Sequence, residues 1–254
     1  MRSHPTRLPS AMGLPYEELD FQPTPLGDLI LRRRRIATLD NLEVLEVKLG
    51  EDFLMSSLFH EVEEALADLG LAATEGDALD VVVGGLGLGY TAVAALMHQR
   101  VAELLVVDAL PAVIDWHRRG LVPLGPTLTG DPRCRLIEAD FFALAASPQQ
   151  GFDPQQPGRQ FHAVLLDIDH SPSHLLHQRH ADFYSPDGLR RLAAQLLPRG
   201  IFALWSDDPP DDEFLASLAA VFDSPQAHFI SFPNPILDRD SASTVYVARK
   251  RSSS

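Results

Sequence analysis

Four aspartates fall just beyond two apolar runs. Asp167 and Asp169 close 162-HAVLLDID-169, and Asp207 and Asp208 follow 200-GIFALWS-206. Such runs read as buried strands, and acids at their carboxyl ends lie where open α/β sheets bind ligands. Acids converging there make a negative pocket that suits a substrate with two or more ammonium groups. The alternative for Asp207 and Asp208 is that they only begin a loop, with Asp211 or Asp212 capping the next helix. His170 directly follows the first acidic loop. With His174, His177 and His180 it has spacings of 4, 3 and 3, which would place all four on one helical face. A metal site is therefore considered. No cysteine accompanies these histidines and Pro172 interrupts the helix, so no metal is expected.

A second feature is 81-VVVGGLGLGY-90, where a valine run breaks into Gly84, Gly85, Gly87 and Gly89. A glycine turn between a strand and a helix lets backbone N–H groups face a ligand. The dinucleotide fingerprint is G-x-G-x-x-G, but Tyr90 stands where its third glycine belongs. The G-x-G-x-G spacing instead fits a site for a nucleoside without a pyrophosphate, of the S-adenosylmethionine type. A purely structural tight turn is the alternative. Asp108 ends the next strand, 19 residues after Gly89, where a carboxylate can accept both ribose hydroxyl protons. Asp140 ends the strand after that and is followed by Phe141 and Phe142. An acid there can bond an adenine amino group while an aromatic ring packs on the base. Either aspartate could instead be a helix cap.

These residues need a scaffold of alternating strands and helices. Strand-like runs occupy 79–85, 103–109, 134–140, 162–169 and 200–206, with helical stretches at 90–99, 111–118 and 186–197. Near-continuous apolar strands alternating with helices predict a Rossmann-like, mostly parallel α/β sheet covered on both faces. Residues 227–232 and 243–249 have no helix between them and are expected to close the sheet as an antiparallel pair. Before this region, 24-TPLGDLILRRRR-35 and 42-LEVLEVKLG-50 alternate like a β-hairpin, and Arg32 to Arg35 read as a solvated strand end. Residues 55–69 have helical periodicity, with Ser56 or Ser57 as N-cap. The expected organisation is a loose segment at 1–23, a small β-hairpin domain at 24–54 and a nucleoside-binding domain at 55–254. The stretch 147-SPQQGFDPQQPGRQ-160 reads as a flexible polar loop.

Composition limits the partners. The 254 residues carry a formal net charge of −14, a surface that repels phosphate backbones, so no nucleic-acid partner is expected. Cys134 is the single cysteine, which rules out an intramolecular disulfide and fits a reducing cytoplasm. The first residues lack the apolar core of a secretory signal. Residues 81–97 carry no charge, but their glycines predict a strand, a turn and a helix rather than a membrane span.

Over about residues 24–249 the sequence resembles the spermidine synthase family, the polyamine aminopropyltransferases. These join a small N-terminal β-domain to a methyltransferase-like Rossmann domain. TPLGDLILRRRR echoes the family's hairpin, and Phe59-His60-Glu61 echoes its Tyr-His-Glu or Tyr-Gln-Glu stretch. 84-GGLGLG-89 matches its glycine motif, Asp108 its ribose acid and Asp140 its adenine-side acid. 167-DIDHSP-172 stands for its D-S-[ST]-D-P loop, and 205-WSDDP-209 for its later acidic loop. Gly87 replaces an Asp that helps hold the aminopropyl group in the family. Phe59 replaces a Tyr, and Asp169 comes one residue early. The resemblance implies a cytoplasmic enzyme that moves an aminopropyl group from decarboxylated S-adenosylmethionine to putrescine or a related polyamine. It implies Asp167 as proton acceptor, with Asp169, His170, Asp207, Asp208 and His60 around the amine and Phe141 at the nucleoside. It leaves a homodimer open. Methyl transfer from S-adenosylmethionine and a non-catalytic nucleoside-binding relative are the rival readings.

Overall fold

The computed structural model describes residues 16–24 and 27–252. The chain divides into two compact units between Leu58 and Phe59. The first is a four-stranded antiparallel sheet of β1 (Tyr16–Thr24), β2 (Gly27–Ile36), β3 (Leu42–Leu49) and β4 (Asp52–Ser56), in that order. The expected hairpin is its middle pair. Residues 16–23, read as part of a loose lead-in, form most of β1, and residues 1–15 lie outside the described ones. β2 alternates as read, with Leu29 and Leu31 wholly buried. Its arginines are not merely solvated. Arg32 and Arg34 both reach the buried Glu46 on β3, and Arg33 meets Glu17 and Glu43. Cross-strand opposite charges of this kind hold a register.

The second unit continues with α1 (Glu61–Ala73), β5 (Leu79–Gly84), α2 (Tyr90–Met97), β6 (Val101–Asp108), α3 (Pro111–Arg118), α4 (Gly125–Gly130) and β7 (Cys134–Glu138). Then come α5 (Phe141–Ala145), β8 (Phe161–Leu166), α6 (Pro186–Ala194), β9 (Leu196–Ser206), α7 (Asp212–Ala219), β10 (Phe222–Asn234) and β11 (Arg239–Lys250). The sheet order is β10-β11-β9-β8-β5-β6-β7. β5 to β9 are mutually parallel, and β11 and β10 add antiparallel, as their lack of a connecting helix predicts. Val81, Val82 and Val83 are wholly buried because helices cover both faces. The chain leaves β5 toward β6 on one side and returns to β8 on the other. The crevice between their carboxyl ends is the switch point where such sheets bind ligands.

The helix expected from residue 55 starts at Glu61, because Ser57 stays bonded to β3: Leu45 N–H donates to Ser57 Oγ, and Ser57 N–H to Leu45 O. Tertiary pairing overrides the helical period, and His60 takes the N-cap position. The 147–160 loop is anchored rather than flexible. Asp153 is wholly buried and takes Arg135 at 2.7 Å and Arg159 at 3.0 Å, while Arg159 also reaches Asp80 and Glu103. Among the described residues no helix is long and apolar enough to cross a membrane, and 81–97 are a strand, a turn and a helix.

Candidate active site

The register of β5 on β8 brings the glycine turn and the first acidic loop together. Gly84 pairs with Leu166, and Asp167 N–H donates to Gly84 O at 2.8 Å. Gly85 follows with φ +94°, and a Cβ there would lie 1.9 Å from the Asp167 carbonyl oxygen. The glycines are expected to leave room for a ligand, yet three of them make room for the chain itself. Besides Gly85, Gly84 yields to the Phe141 ring and Gly89 to His117 and Leu128. Gly87, at φ +47°, offers its carbonyl to His117 Nε2 at 2.9 Å. His117 is buried in α3, and that burial lowers its pKa against the Gly87 bond. Nothing in its sequence spacing marks it as the support of this turn.

Asp108 reaches the same turn. Its carboxylate accepts from Leu86 N–H at 2.9 Å and from Leu110 N–H at 2.8 Å. Burial raises its pKa, and the backbone N–H groups of Leu110, Leu86 and Gly87 oppose the rise. Asp140 is a helix cap: Oδ1 accepts from Phe142 and Ala143 N–H, and Oδ2 lies 3.3 Å from Arg179. Phe141 does not line an opening. It is 1% exposed and stacks on Phe152 with ring centroids 5.0 Å apart. The Gly84 backbone rather than a base covers it, because the first residue of α5 turns under the sheet. Phe142 is the half-buried ring, stacked on His180 at 3.9 Å beside a 220 Å³ hollow that Asp140, Arg179 and Arg191 also line.

The acids divide. Asp167 Oδ2 accepts from Thr91 Oγ1 at 2.8 Å, and its pKa is pushed up to about 6 by burial, with the Thr91 bond opposing. Asp169, expected at the ligand, is 1% exposed. It accepts from Tyr184 Oη at 2.9 Å and Leu176 N–H at 2.9 Å, and His180 Nδ1 lies 2.9 Å away. Two residues past the strand end, the loop has turned this carboxylate inward, where it ties residues 169–184 together. That network also accounts for His180. His170 and His174 stack loosely at 4.9 Å, and no group of three or more metal-ligating side chains occurs among the described residues. Asp207 and Asp208 are exposed. Asp207 N–H donates to His170 O, which joins the two acidic loops, and its carboxylate accepts from Ser243 Oγ at 3.3 Å. It borders a 650 Å³ cleft with Phe59, Phe229, Phe232 and Asp240. His60 lies flat on Tyr90, 4.4 Å between ring centroids, with Nδ1 2.9 Å from Glu64. Tyr90, which replaces the third dinucleotide glycine, is therefore a stacking platform. The cleft wall, with Phe229 and Phe232 from β10 and small or polar residues from β11, has no signal in the sequence, because its residues gather only when that hairpin folds.

A methyltransferase-like Rossmann sheet follows an antiparallel β-sheet unit, and its switch point carries a glycine turn with an acid on each flanking strand. This is the fold of the spermidine synthases. Spermidine synthase from Thermotoga maritima superposes with TM-score 0.69 at 15% identity, over 93% of this chain and 74% of that one. A spermidine synthase in complex with the transition-state analogue AdoDATO superposes with TM-score 0.68 at 14% identity, over 93% and 73%. No protein-family model matches the sequence, and no curated protein sequence matches it.

Proposed function

We propose that the protein is a polyamine aminopropyltransferase-like enzyme that moves an aminopropyl group from decarboxylated S-adenosylmethionine to a diamine such as putrescine. The observation that carries this is the position of Asp167. It is a carboxyl with a raised pKa at the switch point, against the glycine turn, in a chain with the spermidine synthase fold. In the reaction an amine nitrogen attacks the methylene carbon beside the sulfonium. The carbon–sulfur bond breaks, its electron pair stays on sulfur, and methylthioadenosine leaves. The sulfonium is already a good leaving group. The obstacle is the nucleophile, because an amine with a pKa near that of lysine, about 10.4, is mostly protonated at neutral pH. Asp167 accepts that proton, and a raised pKa makes it a better acceptor than an ordinary aspartate. Asp207 and Asp208, in an open position, hold the distant ammonium group, while Phe59 and Phe232 pack on the methylene chain. His170, next to both acidic loops, passes the proton to solvent. Asp169 has no part in binding.

At the nucleoside, the Asp108 carboxylate, held in place by the N–H groups of the turn, forms the ribose side, and Asp140 with Phe142 the base side. Asp108→Ala should weaken methylthioadenosine binding by more than about tenfold, since charge-assisted bonds are worth roughly 1.5–3 kcal/mol. Calorimetry on the folded variant checks this, and unchanged affinity would remove Asp108 from the nucleoside site. Methyl transfer from S-adenosylmethionine is the second reading, favoured by Gly87 standing where an aminopropyl-binding acid is expected. Product mass separates them. With each donor and a mixture of amines, we expect a gain of one aminopropyl unit. A gain of one methyl supports the second reading, and no gain with either donor rejects both.

A further inference from the structure

We propose that Glu63 is a second acid of this site, and that with Asp167 it forms a socket for one primary ammonium group of the substrate. This rests on the amine-transfer reading above and assigns a role that the sequence motifs give to no residue.

The geometry comes from α1. Glu63, Leu66, Ala67 and Gly70 are spaced 3, 4 and 7 residues apart, so they share one helical face. Leu66, Ala67 and Gly70 on that face are buried, and a Cβ at Gly70 would meet Leu165 of β8 and Ala203 of β9. Glu63 stands partly buried at the start of that face, one residue after the buried Val62. Thr91 shows which strand end it faces. Its hydroxyl donates to Asp167 Oδ2 at 2.8 Å and lies 3.4 Å from the Glu63 carbonyl oxygen. Among the described residues neither Glu63 nor Asp167 forms an ion pair, whereas buried Glu46 and Asp153 each hold two arginines. Two partly buried acids that share a site without a counter-ion repel each other unless a proton or a cation lies between them. Gly87 contributes no third acid, so α1 supplies the charge that the turn lacks.

The protonation state fits. Burial, followed by the charge of Asp167, pushes the Glu63 pKa up to about 8. Near pH 7 the pair then holds about one proton, which an incoming ammonium must displace. The other titratable groups around it are Glu61 and Glu64 on α1, whose charges raise Glu63 further, with His60 at the start of that helix and Tyr90 on α2. From the β8 side comes His170, while Asp169 is turned away into its own network. Once the ammonium is bound, the same pair can take its proton.

The test is calorimetry of putrescine binding, without donor, at pH 7 in buffers of differing ionisation enthalpy. Wild type should release about one proton per amine bound, and its affinity should rise from pH 6 to pH 8. Glu63→Gln should bind at least about tenfold more weakly and release none. Folding of the variant is checked separately. The native state keeps a proton on Glu63 from its ordinary pKa of 4.5 to about 8, so wild type loses stability as pH rises through that window. Glu63→Gln lacks this loss, so its Tm advantage should widen across it. Failure of wild type to bind putrescine, 1,3-diaminopropane or 1,5-diaminopentane overturns the socket, as does proton release that Glu63→Gln leaves unchanged. Aminopropyl transfer with wild-type KM in Glu63→Gln would overturn the socket alone. Proton-releasing amine binding without any transfer would overturn the transfer reading alone.

Discussion

Asp167→Asn should lower kcat by about 10²-fold or more, the usual contribution of a positioned proton acceptor, while methylthioadenosine binds as in wild type. The asparagine keeps the shape of the side chain and can still accept the Thr91 hydroxyl bond, so the fold and the glycine turn stay in place. What it removes is the ability to take a proton from the attacking amine. The pH profile gives an independent check. Because the Asp167 pKa is pushed up to about 6, the active, ionised form is lost as pH falls through that value. Wild-type kcat/KM should therefore fall as pH drops from about 8 through about 6, the two steps belonging to Asp167 and Glu63 as a coupled pair, and the residual activity of Asp167→Asn should lack the lower step. Near-wild-type turnover with the acceptor amine would reject Asp167 as the acceptor.

Gly85→Ala should abolish nucleoside binding and destabilise the protein by at least about 3 kcal/mol. Two costs add. The residue has φ +94°, a conformation that L side chains rarely adopt, and its Cβ would sit 1.9 Å from the Asp167 carbonyl oxygen. That oxygen belongs to the backbone and cannot swing aside as a side-chain tip can. Relief requires β5 and β8 to part at the centre of the sheet, which would move Asp167 and the turn together. Gly120→Ala is the control: its φ is +68°, and nothing lies within 4 Å of the new Cβ. It carries the backbone strain alone, about 1–2 kcal/mol. Denaturant unfolding with methylthioadenosine calorimetry measures both variants. Equal stabilities for the two would show that close approach does not dictate glycine at position 85.

The parallel sheet was legible in the sequence because strands buried on both faces must be apolar almost throughout, and 79-LDVVVGG-85 and 162-HAVLLDID-169 are. The strand ends were legible for the same reason, since acids and glycines appear where burial stops. Asp108, Asp167 and Asp207 were placed at their strand ends in this way. The direction of each side chain beyond those ends was decided only by the tertiary structure. Asp167 leaves β8 in register with Gly84 and stays at the crevice, whereas two residues later the loop has turned Asp169 into a hydrogen-bonded network with His180 and Tyr184. Phe141 and Phe142 are adjacent and chemically equal, yet the first residue of α5 goes under the sheet and the second stays half-buried at the surface. Glu63 was illegible for a different reason. The helical period does not say where α1 begins or which strand end its inward face meets, and both follow from Ser57 staying paired to β3 while Gly70 packs closely on β8 and β9. Periodicity records how much of a residue is buried, which is a local property. What a buried residue faces depends on how distant segments pack, and a single sequence carries no periodic signal of that.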